Sequence, residues 1–179
     1  MKKVSYKVSL GGIISALSLF FMFLTGFMPL LVYLVPALCG AMLLIVYVEI
    51  NAKWAFFTYV SVAALCLFIT PDKEAGLLYI MLLGYYPLIK MLIEKIDNII
   101  FKWILKLVIY NVMIVLYYHI IIRIVASSDL TDEIGEWGRN GALIFLGLTN
   151  VIFIVYDIAV SRLKDLYVKW FRKKILQKV

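Results

Sequence analysis

Residues 8–27 read VSLGGIISALSLFFMFLTGF, an uninterrupted stretch without a charged side chain. The hydrocarbon core of a bilayer is about 30 Å thick, and an α-helix of about 20 apolar residues crosses it. The stretch therefore has the length and composition of a membrane-spanning helix. Lysines precede it, as in a signal peptide, but the run is long and no small-residue cleavage site closes it. We expect a permanent helix.

Five further apolar stretches follow along the chain. Together with the first, they predict spans at about 8–27, 30–48, 54–70, 75–93, 103–125 and 141–160. The 179 residues are 65% hydrophobic and only 16% charged, which leaves little chain for a soluble domain. We expect an all-α integral membrane protein, a single transmembrane domain over residues 1–179 built as one bundle of six transmembrane helices.

The positive charges fall at alternate ends of these stretches. Residues 1–7, 49–53, 90–106 and 162–179 hold 15 of the 18 lysines and arginines, whereas the other gaps hold six of the 11 acidic residues. The positive-inside rule then predicts that both termini are cytoplasmic. This orientation requires an even number of spans and so agrees with six. The predicted location is the cell membrane, crossed several times.

The carboxyl-terminal residues 161–179 form a basic tail. It carries seven lysines and arginines against one acidic residue, Asp165, and apolar residues recur in it at helical spacing. This pattern predicts a C-terminal amphipathic interfacial helix that lies on the anionic lipids of the inner leaflet. A docking surface for a cytosolic partner is the alternative interpretation. Membrane topology accounts for the net charge of +7, and we expect no nucleic-acid partner.

Motifs for chemistry are absent from the sequence. It contains no GxxxxGK[ST] loop, no HExxH and no GxSxG. One histidine cannot build a multi-histidine metal site, and Cys39 and Cys66 lie in different spans without CxxC spacing, as expected of buried thiols. We expect no enzyme activity, no cofactor and no metal. An intramembrane enzyme that uses His119 or Asp157 is an alternative with no recognisable second catalytic group.

Small residues crowd the first stretch. Gly11 and Ser15 are one helical turn apart, and so are Gly12 and Ala16. Small residues at this spacing form a flat strip against which another helix can pack closely. The other helix belongs either to the same bundle or to a partner subunit, and we name all four residues as candidate partner-docking positions.

Two charged residues lie near the predicted inner ends of the last two spans. Lys106 belongs to the fifth and Asp157 to the sixth. If these helices are antiparallel neighbours, the two side chains meet at similar depth, and we expect a structural ion pair.

Polar residues also gather near the predicted outer ends of the same two spans. His119 and Arg123 share a helix face, an acidic outer loop over 126–140 follows, and an asparagine lies near mid-membrane in the sixth span. The candidate substrate-binding residues are Tyr118, His119, Arg123, Trp137, Asn140 and Asn150. In the alternative interpretation, Arg123 reaches the outer headgroups and His119 bonds a neighbouring carbonyl.

The amino-terminal third resembles a known transporter family. A basic start, VSLGGIISALS at 8–18, FMP at 27–29 and VPALCG at 35–40 are similar to the opening of the substrate-binding subunits (S components) of energy-coupling-factor (ECF) vitamin transporters. In that family, an Ala-xxx-Ala strip on the first helix docks on the energising subunit. Gly12 and Ala16 stand at the matching positions here.

The resemblance implies a substrate-capture subunit. Such a chain would bind a small micronutrient at the outer face and dock on an energising membrane subunit, while ATPases on other chains supply the energy. The alternative function is a non-transporting membrane scaffold or assembly factor that acts through helix–helix contacts.

Overall fold

The computed structural model describes residues 3–28, 31–125 and 128–169, and between 122 and 145 it describes only the side chains of Arg123 and Ile144. The described chain is helical and contains no strand, which confirms the all-α prediction. The helices are α1 (Val4–Leu24), α2 (Leu31–Glu49), α3 (Ala52–Ile69), α4 (Lys73–Leu78), α5 (Tyr86–Ile93), α6 (Ile99–Val125) and α7 (Ser128–Leu166). A short 3-10 turn, Thr25–Phe27, extends α1, and a π-helical turn, Tyr79–Leu83, lies between α4 and α5.

Within the described residues, six segments are long and apolar enough to cross a membrane. They are Val4–Phe27, Leu31–Glu49, Ala52–Ile69, Lys73–Ile93, Ile99–Ile121 and Leu146–Lys169, hereafter the first to sixth spans. The predicted number of spans is confirmed, and each overlaps its predicted stretch. Many side chains on their outer faces are apolar and exposed, as in Phe68 at 84% and Phe57 at 64%. Such surfaces are typical of helices that face lipid.

The fourth span forms the centre of the packing. Across an apolar stretch of 18 residues, 67% of its residues are buried, against 44% for the second span and less for the others. Its helix is interrupted, because Pro87 lies in the first turn of α5 and has no N–H to donate to the carbonyl of Leu83. The Gly84 N–H instead donates to the Tyr79 carbonyl, five residues back, at 2.8 Å.

Tyrosines from neighbouring helices hydrogen-bond to this interrupted segment. Tyr156 of α7 donates its hydroxyl to the Leu83 carbonyl at 2.8 Å, and Tyr59 of α3 donates to the Ile80 carbonyl at 2.6 Å. Because lipid offers no donors, a carbonyl freed by proline must find its partner inside the protein. The interruption in the fourth span is therefore stabilised by side chains that are distant in sequence.

The close approach of α2 to this interrupted segment requires a glycine. A Cβ atom at Gly40 would overlap the Leu83 carbonyl oxygen and would lie 2.9 Å from the Tyr156 hydroxyl. No side chain larger than hydrogen fits at position 40 without displacing the fourth span or α7.

Two features of the last helix differ from the predictions. The expected outer loop over 126–140 is helical from Ser128 onward, since α7 begins there. At the other end, α7 continues without a break past residue 160 to Leu166. Residues 170–179 lie outside the described residues, so the amphipathic tail helix stays a prediction.

Replacing Gly40 by alanine tests the close approach of α2 to the interrupted fourth span. We expect Gly40→Ala to lower the free energy of unfolding by about 1–3 kcal/mol, because the added methyl group overpacks the contact with Leu83. Thermal unfolding in detergent measures the effect. Gly147→Ala is the matched control, since nothing lies within 4 Å of a Cβ at that position. Equal stability of the two variants would contradict the packing described.

Candidate functional site

The four small residues of α1 lie in two different environments. Gly11 is buried, and a Cβ there would lie 3.2 Å from the Thr58 hydroxyl oxygen of α3. Gly12 and Ala16 are exposed, and nothing lies within 4 Å of a Cβ at Gly12. Ser15 is half-buried. Gly11 thus serves packing inside the bundle, whereas Gly12 and Ala16 face away from it.

The exposed small residues continue toward the amino terminus. Ser5 and Ser9 are also exposed and precede Gly12 and Ala16 at alternating intervals of four and three residues, which keeps them on one helix face. We call Ser5, Ser9, Gly12 and Ala16 the exposed strip of α1. The sequence prediction missed Ser5, although its spacing from Ser9 continues the same row.

A buried charge cluster joins α5, α6 and α7. Its centre is Asp157, whose Oδ1 lies 2.6 Å from Lys90 Nζ and 2.9 Å from Lys106 Nζ and accepts a hydrogen bond from the Tyr86 hydroxyl. Lys90 also donates to the main-chain carbonyl of Asp157 at 2.7 Å. Lys90, Lys106 and Asp157 are 0%, 5% and 4% exposed. The two residues expected to pair, Lys106 and Asp157, thus lie in direct contact.

A second carboxylate extends this cluster toward the surface. Glu94 lies 3.3 Å from Lys90 Nζ, 3.9 Å from Lys106 Nζ and 3.8 Å from Lys164 Nζ. The side chains of Glu94 and Lys164 are about one-third exposed, at 33% and 35%. Three ammonium groups therefore share two carboxylates, and the cluster runs from the buried interior to the end of the bundle predicted to be cytoplasmic.

Sequence reasoning did not include Lys90 in the ion pair. Its position inside the predicted span 75–93 was the available signal, because a lysine within a span needs an acidic partner. The structure supplies Asp157 and Glu94.

Asn150, one of the predicted substrate ligands, is paired inside the protein. Its amide and that of Asn111 exchange two hydrogen bonds, at 2.9 and 3.0 Å, between α6 and α7. Each amide nitrogen also donates to a carbonyl one turn earlier. Asn111 donates to the Leu107 carbonyl at 2.8 Å, and Asn150 donates to the Leu146 carbonyl at 2.7 Å. Reciprocal amide pairs of this kind hold helices together in membranes.

The predicted ligands Tyr118, His119 and Arg123 lie near the carboxyl-terminal end of α6. His119 is exposed, its Nδ1 is hydrogen-bonded to the Val115 carbonyl at 2.8 Å, and the Tyr118 ring lies edge-on with a 6.1 Å centroid separation. Arg123 is exposed as well. The side chains of Trp137 and Asn140 lie outside the described part of the structure. Ligand binding by these residues stays a prediction.

Cys39 and Cys66 are free thiols, and both are buried. In the part of the chain that the structure describes, no group of three or more histidine, cysteine, aspartate or glutamate residues is placed to hold a metal ion.

Comparison with protein-family models, with curated proteins and with solved structures found no match to this chain.

Removing the central carboxylate tests the charge cluster. We expect Asp157→Asn to lower the free energy of unfolding by about 3–5 kcal/mol, because Lys90 and Lys106 lose their shared buried partner. Lys164→Met, at the exposed edge, should cost less than about 1 kcal/mol. Unfolding of both variants in detergent gives the comparison. A small loss in Asp157→Asn, similar to that in Lys164→Met, would contradict a buried network centred on Asp157.

Proposed function

We propose that this chain is the substrate-capture subunit of an ECF-type uptake transporter and that it docks on an energising membrane subunit through the exposed strip of α1. The observation that carries the proposal is that Gly12 and Ala16 are exposed on α1. Among the described residues, nothing lies within 4 Å of a Cβ at Gly12. These are the positions at which the sequence resembles the docking strip of that family.

Small exposed residues favour contact between membrane helices for a physical reason. Lipid tails are as apolar as leucine, so burying apolar side chains provides little drive for helices to associate. Association depends on close packing of backbones, which small side chains permit. In α1, Gly11 already provides such packing against Thr58 of α3. The exposed strip offers a second surface of the same kind on the opposite side.

The position of the strip along α1 also fits an energising partner. Ser5 to Ala16 occupy the amino-terminal half of the first span, Val4–Phe27. With both termini cytoplasmic, as the charge distribution predicts, this half lies toward the cell interior. A partner driven by cytoplasmic ATPases would reach it there. Anionic lipids would contact the basic tail at the same side of the membrane.

The capture step would take place at the opposite side. Tyr118, His119 and Arg123 lie at the outer end of α6 in this orientation, and Trp137 and Asn140 belong to the first half of α7. They would receive a small micronutrient from outside. The subunit would then tilt within the bilayer and present the ligand inward, and its broad apolar exterior suits such rigid-body movement.

A second candidate function is a non-transporting scaffold or assembly factor. The hydrogen bonds of the predicted ligand residues favour it, since Asn150 is paired with Asn111 and His119 with the Val115 carbonyl. A scaffold would use the same exposed strip but would bind no micronutrient. Thermal-shift measurements with vitamins, amino acids and nucleobases distinguish the two functions.

Enlarging the strip tests the docking proposal. We expect the double variant Gly12→Leu, Ala16→Leu to reduce co-purification with the ECF energising subunit by about tenfold, because leucine side chains keep the two backbones apart. The amount of the energising subunit recovered from detergent-solubilised membranes is the measurement.

Gly147→Leu is the matched control for this experiment. Gly147 is exposed on α7, and nothing lies within 4 Å of a Cβ there, so the change adds a leucine side chain at a different surface. The control should retain association, and both variants should unfold at the wild-type temperature. Unchanged association of the double variant would remove the main support for this function.

A further inference from the structure

The charge cluster of α5, α6 and α7 holds more positive than negative groups. Its ammonium groups are those of Lys90, Lys106 and Lys164, and its carboxylates are those of Asp157 and Glu94. Among the described residues, no other carboxylate forms an ion pair with these three lysines. One positive charge is therefore in excess. An uncompensated charge is costly beside the hydrocarbon of a membrane, so the cluster attracts an anion from its surroundings.

The ammonium group of Lys164 is the most loosely held of the three. Lys90 Nζ and Lys106 Nζ lie 2.6 and 2.9 Å from Asp157 Oδ1, whereas Lys164 Nζ lies 3.8 Å from Glu94 Oε2, too far for a hydrogen bond. In the part of the chain that the structure describes, no other group accepts a hydrogen bond from Lys164 Nζ. Its side chain is 35% exposed. Lys164 can therefore donate to an anion that approaches from outside the protein.

The open end of the cluster lies where lipid headgroups are expected. Lys164 belongs to the last turn of α7, and Trp103 lies in the second turn of α6, with Lys106 Nζ over its ring at 5.1 Å from the centroid. Tryptophan side chains in membrane proteins gather at the level of the headgroups. In the predicted orientation this is the inner leaflet, whose anionic lipids attract basic groups.

The surface beside this open end is apolar. Leu92, Ile104 and Leu163 are exposed, one on each of the three helices that build the cluster, and each is within two residues of a cluster member. Acyl chains can cover such a surface, whereas a soluble anion would leave it uncovered. Positive charge next to exposed apolar side chains therefore favours a phospholipid over a free anion.

We propose that Lys164 and the excess charge of this cluster bind the phosphate group of an anionic phospholipid. Basic sites between membrane helices on the cytoplasmic side recognise headgroups of this kind. The inference goes beyond the proposed function and does not rest on it, since it uses no residue of the exposed strip of α1. It also differs from the predicted contact of the basic tail with lipids, because it concerns one site between three helices.

Lipid retention by a Lys164 variant tests the site. The full chain in detergent is mixed with phosphatidylglycerol or with phosphatidylcholine of the same acyl chains, and native mass spectrometry counts the lipids bound. We expect the wild type to retain about tenfold more phosphatidylglycerol, and Lys164→Gln to retain the two lipids equally, because it loses a hydrogen bond between charged groups. Lys164→Arg keeps the charge and the donors and should keep the preference.

Lys53→Gln is the matched control. Lys53 is exposed near the amino-terminal end of α3, on the same predicted side of the membrane but outside the cluster. The change removes the same charge as Lys164→Gln, and all variants keep the basic tail, so any general attraction of lipid to the tail is common to them. Lys53→Gln should prefer phosphatidylglycerol as the wild type does.

A change at Glu94 tests the role of the excess charge. Glu94→Gln removes a carboxylate and so adds to the positive charge in excess. We expect it to retain about threefold more phosphatidylglycerol than the wild type, because the anion no longer meets a neighbouring negative charge. If Glu94 served only to hold the helices together, its loss would bring no gain in lipid.

Four outcomes would overturn the site. They are equal retention of the two lipids by the wild type, a preference in Lys164→Gln as strong as in Lys53→Gln, no gain in Glu94→Gln, and release of the lipid by inorganic phosphate at equal concentration. The last would show a site for soluble anions. Because these measurements use the isolated chain, docking through the exposed strip of α1 can hold or fail independently of them.

Discussion

The shared carboxylate of Asp157 shows the constraint on which the rest of this structure depends: inside lipid, each polar group must find its partner within the protein. Asp157 forms ion pairs with Lys90 and Lys106 and accepts a hydrogen bond from Tyr86, and so holds α5, α6 and α7 together. The freed carbonyl of Leu83 likewise accepts a hydrogen bond from the Tyr156 hydroxyl of α7. Apolar contacts alone would specify these helix positions weakly, because lipid competes for them on equal terms.

The same constraint gives meaning to the places where partners are lacking. The exposed strip of α1 presents small residues that no other part of the described bundle covers near Gly12. In the interior, the hydroxyls of Ser18 and Tyr79 have no hydrogen-bond partner among the described residues.

Much of the fold was predictable because span length and charge distribution are properties of short stretches of sequence. The six spans follow from apolar length, and the contact of Lys106 with Asp157 follows from matching depth in adjacent antiparallel helices. The interruption in the fourth span was not predictable in detail, since it depends on Tyr156 and Tyr59, which are remote in sequence. The Asn111–Asn150 pair was not predicted for the same reason, since its two residues are 39 positions apart in the sequence.

The orientation and the number of crossings underlie the whole account, and labelling from outside the cell measures them most directly. In a chain with Cys39 and Cys66 replaced by alanine, single cysteines are introduced as Lys3→Cys, Met28→Cys and Asp165→Cys, all at exposed positions. A membrane-impermeant maleimide should label Met28→Cys in intact cells and should label the other two only after permeabilisation. Labelling of Lys3→Cys or Asp165→Cys in intact cells would contradict six crossings with cytoplasmic termini.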